Sequence, residues 1–188
     1  MLEMIMRPEL VGQSFGGHPM IRFEERDVRG KIRLIGIPNR AMRFLHRRFG
    51  TFLRDLIMAT DGRGYGVRKL PSATGCVKGS NPLKNARQHQ MGKCFYITDL
   101  VDAYANVSLE QLALFITFLV RYKDYVSEVS LDRFGQADRT DILTEDWAYQ
   151  PVLGFLQAHF GGLRGRGLAI GGPLSSYLMN LYCEVFLD

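Results

Sequence analysis

Apolar and polar residues alternate most clearly over residues 20–37. The sequence Ile21-Arg22-Phe23-Glu24 repeats with a period of two, which places successive side chains on opposite faces of a strand. Asp27-Val28-Arg29-Gly30 then supplies turn residues, and Lys31 to Ile35 resumes the strand pattern. The segment is therefore predicted to form an antiparallel hairpin.

A helical period replaces this alternation after Pro38-Asn39. Residues 40–58 place apolar residues on one stripe and arginines on the remaining faces, which predicts an amphipathic helix. The stripe consists of Ala41, Leu45, Phe49, Phe52, Leu53 and Leu56. The arginines are Arg43, Arg47, Arg48 and Arg54.

Further helices are predicted towards the end of the chain. Ser108-Leu-Glu-Gln111 is a capping box that starts a helix through about Val126. A second helix is predicted from Thr144-Glu-Asp-Trp147 to near Phe160. Pro173 suits the first turn of a third helix. The apolar face of that helix consists of Leu174, Leu178, Leu181 and Val185. Residues 61–93, by contrast, are predicted to be rich in loops.

An aspartate follows the β-prone stretch at the middle of the chain. Cys94 to Thr98 is rich in aromatic and β-branched residues, so it predicts a short buried strand with Asp99 at its end, facing a cleft. A buried, unpaired carboxylate is costly. Mg²⁺ compensates such a charge, because it prefers a few carboxylates together with phosphates and water. The alternative is that Asp99 only caps the turn from Leu100 to Tyr104.

Charge is divided unevenly along the chain, whose net charge is +5. Residues 1–98 contain 18 Lys and Arg against 7 Asp and Glu, a net of +11, whereas residues 99–188 contain 6 against 12, a net of −6. Basic clusters attract nucleic-acid backbones through counterion release, and an acidic region suits a metal site. Two solvated faces of opposite sign that dock on each other would explain the same division.

The cysteines and the apolar runs indicate the cellular location. Cys76, Cys94 and Cys183 lack metal-ligand spacing, and no signal-peptide pattern precedes them. The longest apolar run, Leu112 to Val120, is nine residues long and too short to span a bilayer. We expect a cytoplasmic protein with free thiols and no membrane partner.

Two segments of the chain resemble motifs A and B of the reverse transcriptase palm, as found in bacterial retrons and group II introns. The first is Phe-Tyr-Ile-Thr-Asp-Leu-Val-Asp-Ala-Tyr-Ala-Asn-Val at 95–107, and the second is Gly-Leu-Ala-Ile-Gly-Gly-Pro-Leu-Ser-Ser-Tyr-Leu-Met-Asn-Leu-Tyr at 167–182. Gly30-Lys-Ile-Arg33, followed by Ile37-Pro38, is similar to the first fingers motifs of that family. Residues 75–86 resemble a retron-type motif that precedes the palm.

This resemblance implies an α/β (α+β) polymerase right-hand fold, with the fingers and the first half of the palm present and the thumb absent. Residues 1–93 would form a basic fingers-like region. Residues 94–188 would form a partial palm that contains motifs A and B. Without the resemblance, the charges on the hairpin would be explained as a solvated face, and 167–182 as a helix preceded by a glycine loop.

The resemblance also implies the functional residues. Asp99 would be the catalytic carboxylate, and it would bind Mg²⁺ with the backbone carbonyl of Leu100, two ions being present in the complete site. Nucleotide-binding residues would come from three segments: Lys31 and Arg33 at the triphosphate; Asp102, Ala103 and Tyr104 after motif A, with Tyr104 beneath the sugar; and Ile170 and Gly171 in the pocket. Nucleic acid would contact Arg43, Arg47, Arg48, Lys78 and Lys84.

The implied activity is that of an RNA-directed DNA polymerase, in which two metal ions assist the addition of dNTPs to a primer. Its partners would be an RNA template, a DNA or RNA primer and dNTPs. The chain departs from the family pattern at Ile170, where glutamine is usual, and at Ser176, where a second proline is usual.

The chain also contains no Tyr-x-Asp-Asp sequence. We therefore expect a downstream segment or a second chain to carry motif C and the thumb, and the chain alone to be inactive. The alternatives are a catalytically silent relative that binds nucleic acid, and a polymerase of antiviral defence that acts with partner chains.

Overall fold

The computed structural model describes residues 1–7, 9–59, 82–88, 90–92, 94, 100–122 and 147–186. Two short helices, α1 (Leu2–Met6) and α2 (Glu9–Phe15), precede strands β1 (Ile21–Val28) and β2 (Lys31–Pro38). The helices that follow are α3 (Arg40–Ala59), α4 (Pro82–Gln88), α5 (Leu109–Tyr122), α6 (Tyr149–Phe160) and α7 (Ser175–Phe186), with a 3₁₀ turn at Leu163–Gly165. Helices combined with a two-stranded antiparallel sheet give an α+β composition. The polymerase right-hand fold stays a prediction.

The predicted hairpin is confirmed, and its strands extend further than the alternating residues indicated. Val28 pairs with Lys31 at the tip, and Ile21 pairs with Pro38 at the base. Arg29 and Gly30 connect the strands with φ angles of 56° and 77°. Two successive positive φ angles are typical of the type I′ turn, whose twist matches that of paired strands. The side chain of Asp27 accepts a 2.7 Å hydrogen bond from the Gly30 N–H and so stabilises this turn.

Helix α3 is confirmed as the amphipathic helix that the apolar stripe predicted. The side-chain oxygen of Asn39 accepts a 2.8 Å hydrogen bond from the Met42 N–H, which caps the helix N-terminus. Leu45, Phe49 and Leu53 are completely buried, so the stripe faces the core.

The core contains apolar residues from both predicted regions of the chain. Helices α5 and α6 pack together, and α1 and α3 contribute to the same hydrophobic cluster. The ring of Phe49 in α3 lies 5.1 Å from that of Phe155 and 5.0 Å from that of Phe160, both in α6. The division into a fingers-like and a palm-like region stays a prediction, but described residues of both regions share one core.

The helix starts near the C-terminal end differ from the predictions. Helix α7 begins at Ser175, and Pro173 lies in the turn before it. The Ser175 N–H donates to the Gly172 carbonyl at 3.1 Å, so Pro173 occupies the second position of a tight turn, where its fixed φ is favourable. Helix α6 begins at Tyr149 after a turn at Trp147, and Thr144 lies outside the described residues.

Two other local predictions were wrong in part. Pro82–Gln88 is a helix where loop was predicted, and proline suits the first helical position. Cys94 is exposed rather than buried, whereas 95–99 lie outside the described residues. The cap on α5 is confirmed, because the Ser108 hydroxyl accepts a 3.1 Å hydrogen bond from the Gln111 N–H.

Within the described ranges, no helix has both the length and the apolar character needed to cross a bilayer.

Phenylalanine truncation on α3 should separate the core face from the outer face. We expect Phe49→Ala to lower the free energy of unfolding by about 3–5 kcal/mol, because it opens a cavity among packed rings. Phe44 is 43% exposed on the same helix, so Phe44→Ala should lower it by less than about 1 kcal/mol. Urea unfolding followed by circular dichroism measures both, and equal losses would contradict this assignment of faces.

Candidate functional site

The segment after Asp99 is a compact turn fixed by one side chain. The Asn106 N–H donates to the Asp102 carbonyl at 3.1 Å, and the Asn106 side-chain amide donates to the Val101 carbonyl at 2.9 Å. Asp102 has a φ of 46°, a left-handed conformation that aspartate tolerates better than most residues. Leu100 and Val101, which follow Asp99, are both exposed.

Tyr104 connects this turn to the segment that resembles motif B. Its hydroxyl lies 3.0 Å from the Ser176 hydroxyl, and its backbone carbonyl accepts a 2.8 Å hydrogen bond from the Leu168 N–H. The ring is half-buried and packs against the hydrophobic core. The two segments that were singled out 70 positions apart in the sequence are therefore neighbours in space.

Glycine is required where these two segments meet. Gly167 has a φ of 59°, and a Cβ there would lie 2.5 Å from the carbonyl oxygens of both Tyr104 and Ala105. Such distances are far inside van der Waals contact, and the left-handed backbone already disfavours other residues. Residues 167–172, which we call the glycine loop, can approach the 100–106 turn only because this side chain is absent.

The glycine loop also contacts the edge of strand β2. The Gly36 N–H donates to the Ile170 carbonyl at 2.6 Å. Gly171 has a φ of 98°, and a Cβ on it would lie 2.8 Å from the Gly36 carbonyl oxygen and 2.9 Å from Cγ2 of Ile35. The loop therefore has the hairpin on one side and the 100–106 turn on the other.

Strand alternation places Lys31, Arg33 and Ile35 on the same face of the hairpin. Because the Ile35 side chain reaches Gly171, the two basic residues lie along the face that leads to the glycine loop. Arg33 is three positions from Gly36, which corresponds to about 10 Å of strand. None of the acids that the structure describes forms an ion pair with Lys31 or Arg33.

The neighbouring strand carries like charges on this face. Arg26 is directly opposite Arg33, and like charges in that position repel. Glu24 compensates on the β1 side by pairing with Arg22 and, at 3.1 Å, with Arg26. Arg33 has no such described partner, so its charge is available to a ligand.

The predicted nucleic-acid contacts lie mainly on α3. Arg43, Arg47 and Arg48 are exposed there, and Nε of Arg43 donates to the Pro38 carbonyl at 3.1 Å. Lys84 is exposed on α4, whereas Lys78 lies outside the described residues. All of these contacts stay predictions.

The predicted metal site is only partly described, because Asp99 is not among the described residues. Within the described ranges no three His, Cys, Asp or Glu side chains gather in a way that could hold a metal ion. Leu100 is described and 47% exposed. An oxygen-donor pair of Asp99 and Leu100 suits Mg²⁺, but the pair stays a prediction.

A histidine contact beneath the glycine loop was missed by the sequence interpretation. His46 is 1% exposed, stacks on Phe160 at 4.3 Å, and its Nε2 lies 2.8 Å from the His159 carbonyl oxygen. A carbonyl only accepts, so Nε2 carries the proton. A Cβ on Gly172 would lie 3.2 Å from Cε1 of His46, which places the imidazole directly under the loop. His46 lies next to Leu45 and three residues before Phe49 of the apolar stripe, and this position in the sequence could have indicated its burial.

Burial controls the protonation of this histidine pair. It lowers the pKa of His46, although the hydrogen bond to the His159 carbonyl opposes the shift. It also lowers the pKa of His159 to about 4, and the nearby His46 adds to that effect. Both imidazoles are therefore neutral at pH 7.

Comparisons with known proteins add no assignment. No protein-family model matches the chain, and neither a curated protein nor a solved structure matches it.

Alanine substitution should affect two glycines in opposite directions. We expect Gly167→Ala to lower the free energy of unfolding by more than about 2 kcal/mol, because the new Cβ meets two backbone oxygens in a left-handed conformation. Gly154 lies in α6 with nothing within 4 Å of its would-be Cβ. Gly154→Ala should therefore stabilise the helix by about 0.5–1 kcal/mol. Thermal or urea unfolding measures both, and a tolerated Gly167→Ala would refute the close approach.

The histidine pair should make stability depend on pH. Because the folded pKa of His159 is about 4, below the unfolded value of about 6.5, the unfolded chain takes up a proton that the folded chain does not. Stability is thus fully present above pH 6.5 and decreases as the pH falls towards 4. We expect His159 to account for a loss on the order of 2 kcal/mol between pH 7 and 5. The His159→Gln variant should lose less over this range in urea titrations, and an unchanged pH profile would contradict the assignment.

Proposed function

We propose that this chain is the nucleotide-binding part of an RNA-directed DNA polymerase. One observation carries the proposal: the glycine loop contacts the 100–106 turn on one side and strand β2 on the other. These are the three segments to which the resemblance to reverse transcriptases assigns the nucleotide contacts. Backbone contacts that bring such distant segments together support a common role for them.

The triphosphate would bind along the basic face of β2. Arg33 and Lys31 have no described acidic partner, and a guanidinium offers two parallel donors to phosphate oxygens. The sugar would rest on the ring of Tyr104, whose position is fixed by the contact with Ser176 and by core packing. A ring held in this way would restrict the space beside the sugar 2′ position.

The base would meet the glycine loop. Ile170 is half-buried, and its carbonyl already accepts a hydrogen bond from the Gly36 N–H. Its side chain has no donor or acceptor, so this residue would offer a nucleotide packing rather than hydrogen bonds. Gly171 packs against strand β2 and Gly172 against His46, and a Cβ on either glycine would be obstructed. The pocket would therefore recognise the base mainly by shape.

The reaction would be attack of a primer 3′ hydroxyl on the α-phosphate of the bound dNTP. The new phosphodiester bond would form as the bond to the β-phosphate breaks, pyrophosphate would leave, and the hydroxyl proton would pass to solvent. The protein would contribute mainly by positioning the two reactants, with no covalent intermediate. Asp99 and the Leu100 carbonyl would hold Mg²⁺, which when bound neutralises charge on the phosphates. Lys31 and Arg33 would hold the triphosphate in line with the attacking oxygen. A Tyr-x-Asp-Asp segment, which these 188 residues lack, would complete the site.

Nucleotide binding tests the proposal directly on this chain. We expect Arg33→Gln to weaken dNTP binding about tenfold or more, because it removes charge-assisted hydrogen bonds to phosphate. Arg7→Gln is the matched control, since Arg7 is an exposed arginine at the C-cap of α1 that lies beside Glu3. Calorimetric titration of a dNTP with Mg²⁺ gives both affinities. Equal affinities for wild type and Arg33→Gln would reject this nucleotide site.

Primer extension separates the polymerase from its alternatives. The 188 residues alone should extend no primer, whereas a protein that joins them to a Tyr-x-Asp-Asp segment should do so and should lose the activity with Asp99→Asn. Glu9→Gln, at an exposed acid at the start of α2, should leave extension unchanged. A chain that binds oligonucleotides but no dNTP would instead support the catalytically silent relative. Extension only in the presence of added partner chains would support the defence-type polymerase.

A further inference from the structure

The outer face of α3 carries a concentration of positive charge. Five arginines are exposed on it, and Asp55 near the C-terminal end is the acid on this face. The arginines are Arg40, Arg43, Arg47, Arg48 and Arg54. No ion pair joins any of them to an acid among the described residues. A face with this charge favours an anionic partner.

One aromatic side chain lies within this basic face. Phe44 keeps 43% of its surface exposed. The guanidinium carbons of Arg40 and Arg47 lie 5.8 and 6.0 Å from its ring centroid, which is the range of a cation–π contact. The spacings of four and three residues put both arginines beside the ring on the helix surface. A single exposed phenylalanine needs no explanation, but this one is flanked by two cations without a described anion.

The arrangement matches the chemistry of single-stranded nucleic acid. Such strands bind where cationic side chains follow the phosphates and an aromatic ring stacks against an unpaired base. In a duplex the base faces are covered by neighbouring pairs, so the ring would contribute little to binding. The carboxylates of an acidic protein would pair with the arginines but would not stack on the Phe44 ring.

We propose that Arg40, Phe44 and Arg47 form a stacking site for an unpaired base of single-stranded DNA or RNA, with Arg43 and Arg48 contacting adjacent phosphates. This inference deepens the proposed function. It rests on that function only in identifying the bound strand as the unpaired template. The stacking site lies on the outer face of α3, whose opposite face is buried, whereas the proposed dNTP contacts come from β2, the 100–106 turn and the glycine loop.

Binding measurements on the full chain test this site. The probes are a fluorescein-labelled oligothymidylate and a labelled duplex of the same length, followed by anisotropy. Phe44→Leu should weaken single-strand binding at least about fivefold, because it removes the stacking contact. Duplex binding should change less than about twofold, and the dependence on salt should be unchanged. Arg48→Gln, which removes a phosphate contact, should instead reduce the slope of log K against log salt by about one.

A matched control removes an aromatic side chain elsewhere. Trp147 is 67% exposed in the turn before α6, and Trp147→Leu should leave single-strand binding unchanged. Unfolding in urea confirms that Phe44→Leu and the control remain folded. Equal single-strand affinities for wild type and Phe44→Leu would overturn the proposal, as would equal losses for both probes.

A spectroscopic signal distinguishes stacking from charge attraction. Trp147 is the chain's single tryptophan, so Phe44→Trp in a Trp147→Phe background places one fluorophore at the site. Saturation with oligothymidylate should quench its emission, whereas polyglutamate should not. Unchanged emission on saturation would reject the stacking site, because the strand would then bind without contacting the ring. Equal competition by polyglutamate would also reject it and would assign the face to acidic proteins. None of these measurements depends on dNTP binding, so failure of the stacking site and failure of the proposed function are distinguishable.

Discussion

The backbone hydrogen bonds of the glycine loop are the constraint on which the arrangement of the site depends. Through them the loop contacts three separate parts of the chain: the turn at Tyr104, the β2 edge at Gly36 and the end of α6 at Phe160. Buried backbone groups must be paired, so each contact excludes other paths for the loop. Gly167 and Gly171 permit this approach because they have positive φ angles and carry no side chain. Without them the hairpin and the 100–106 turn would lose their common neighbour.

Electrostatics divides the basic residues into two groups with different surroundings. On the hairpin, Glu24 pairs with Arg22 and Arg26 and leaves the β2 side of the same face positive. On α3 the outer face has no comparable compensation among the described residues. Part of the excess of positive charge in the first half of the sequence therefore lies on a narrow strand face and on a long helix face. A nucleotide is the ligand proposed for the first, and a single strand is the ligand proposed for the second.

Local periodicity explains which parts of the fold could be predicted from the sequence. The hairpin and α3 were predictable because their apolar residues repeat with the strand and helix periods and turn or cap residues bound them. The start of α7 could not be predicted, because proline suits both the first turn of a helix and the second position of a tight turn. In the structure Pro173 lies in the tight turn that begins at Gly172. The contact between His46 and the His159 carbonyl joins residues 113 positions apart, and no local pattern specifies such a pair.

The candidate site was predictable to a similar extent. Motif resemblance selected the Tyr104 and Ile170 segments, and the structure makes them neighbours. It gave no indication of Ser176 as the partner of Tyr104 or of Phe44 on the basic face. Asp99, on which the proposed chemistry depends, lies outside the described residues, so its proposed catalytic role rests on sequence alone.

The contact between Gly36 and Ile170 also has a consequence for the order in which the chain folds. The two residues are 134 positions apart, so closing that loop is entropically expensive until other contacts have shortened the distance between its ends. The apolar faces of α3, α5 and α6 provide those contacts, and contacts of long sequence separation generally slow folding. We therefore expect the core to assemble first and the junction between β2 and the glycine loop to close last. A chain that has collapsed correctly would lack the arrangement on which the proposed nucleotide site depends until this junction has closed.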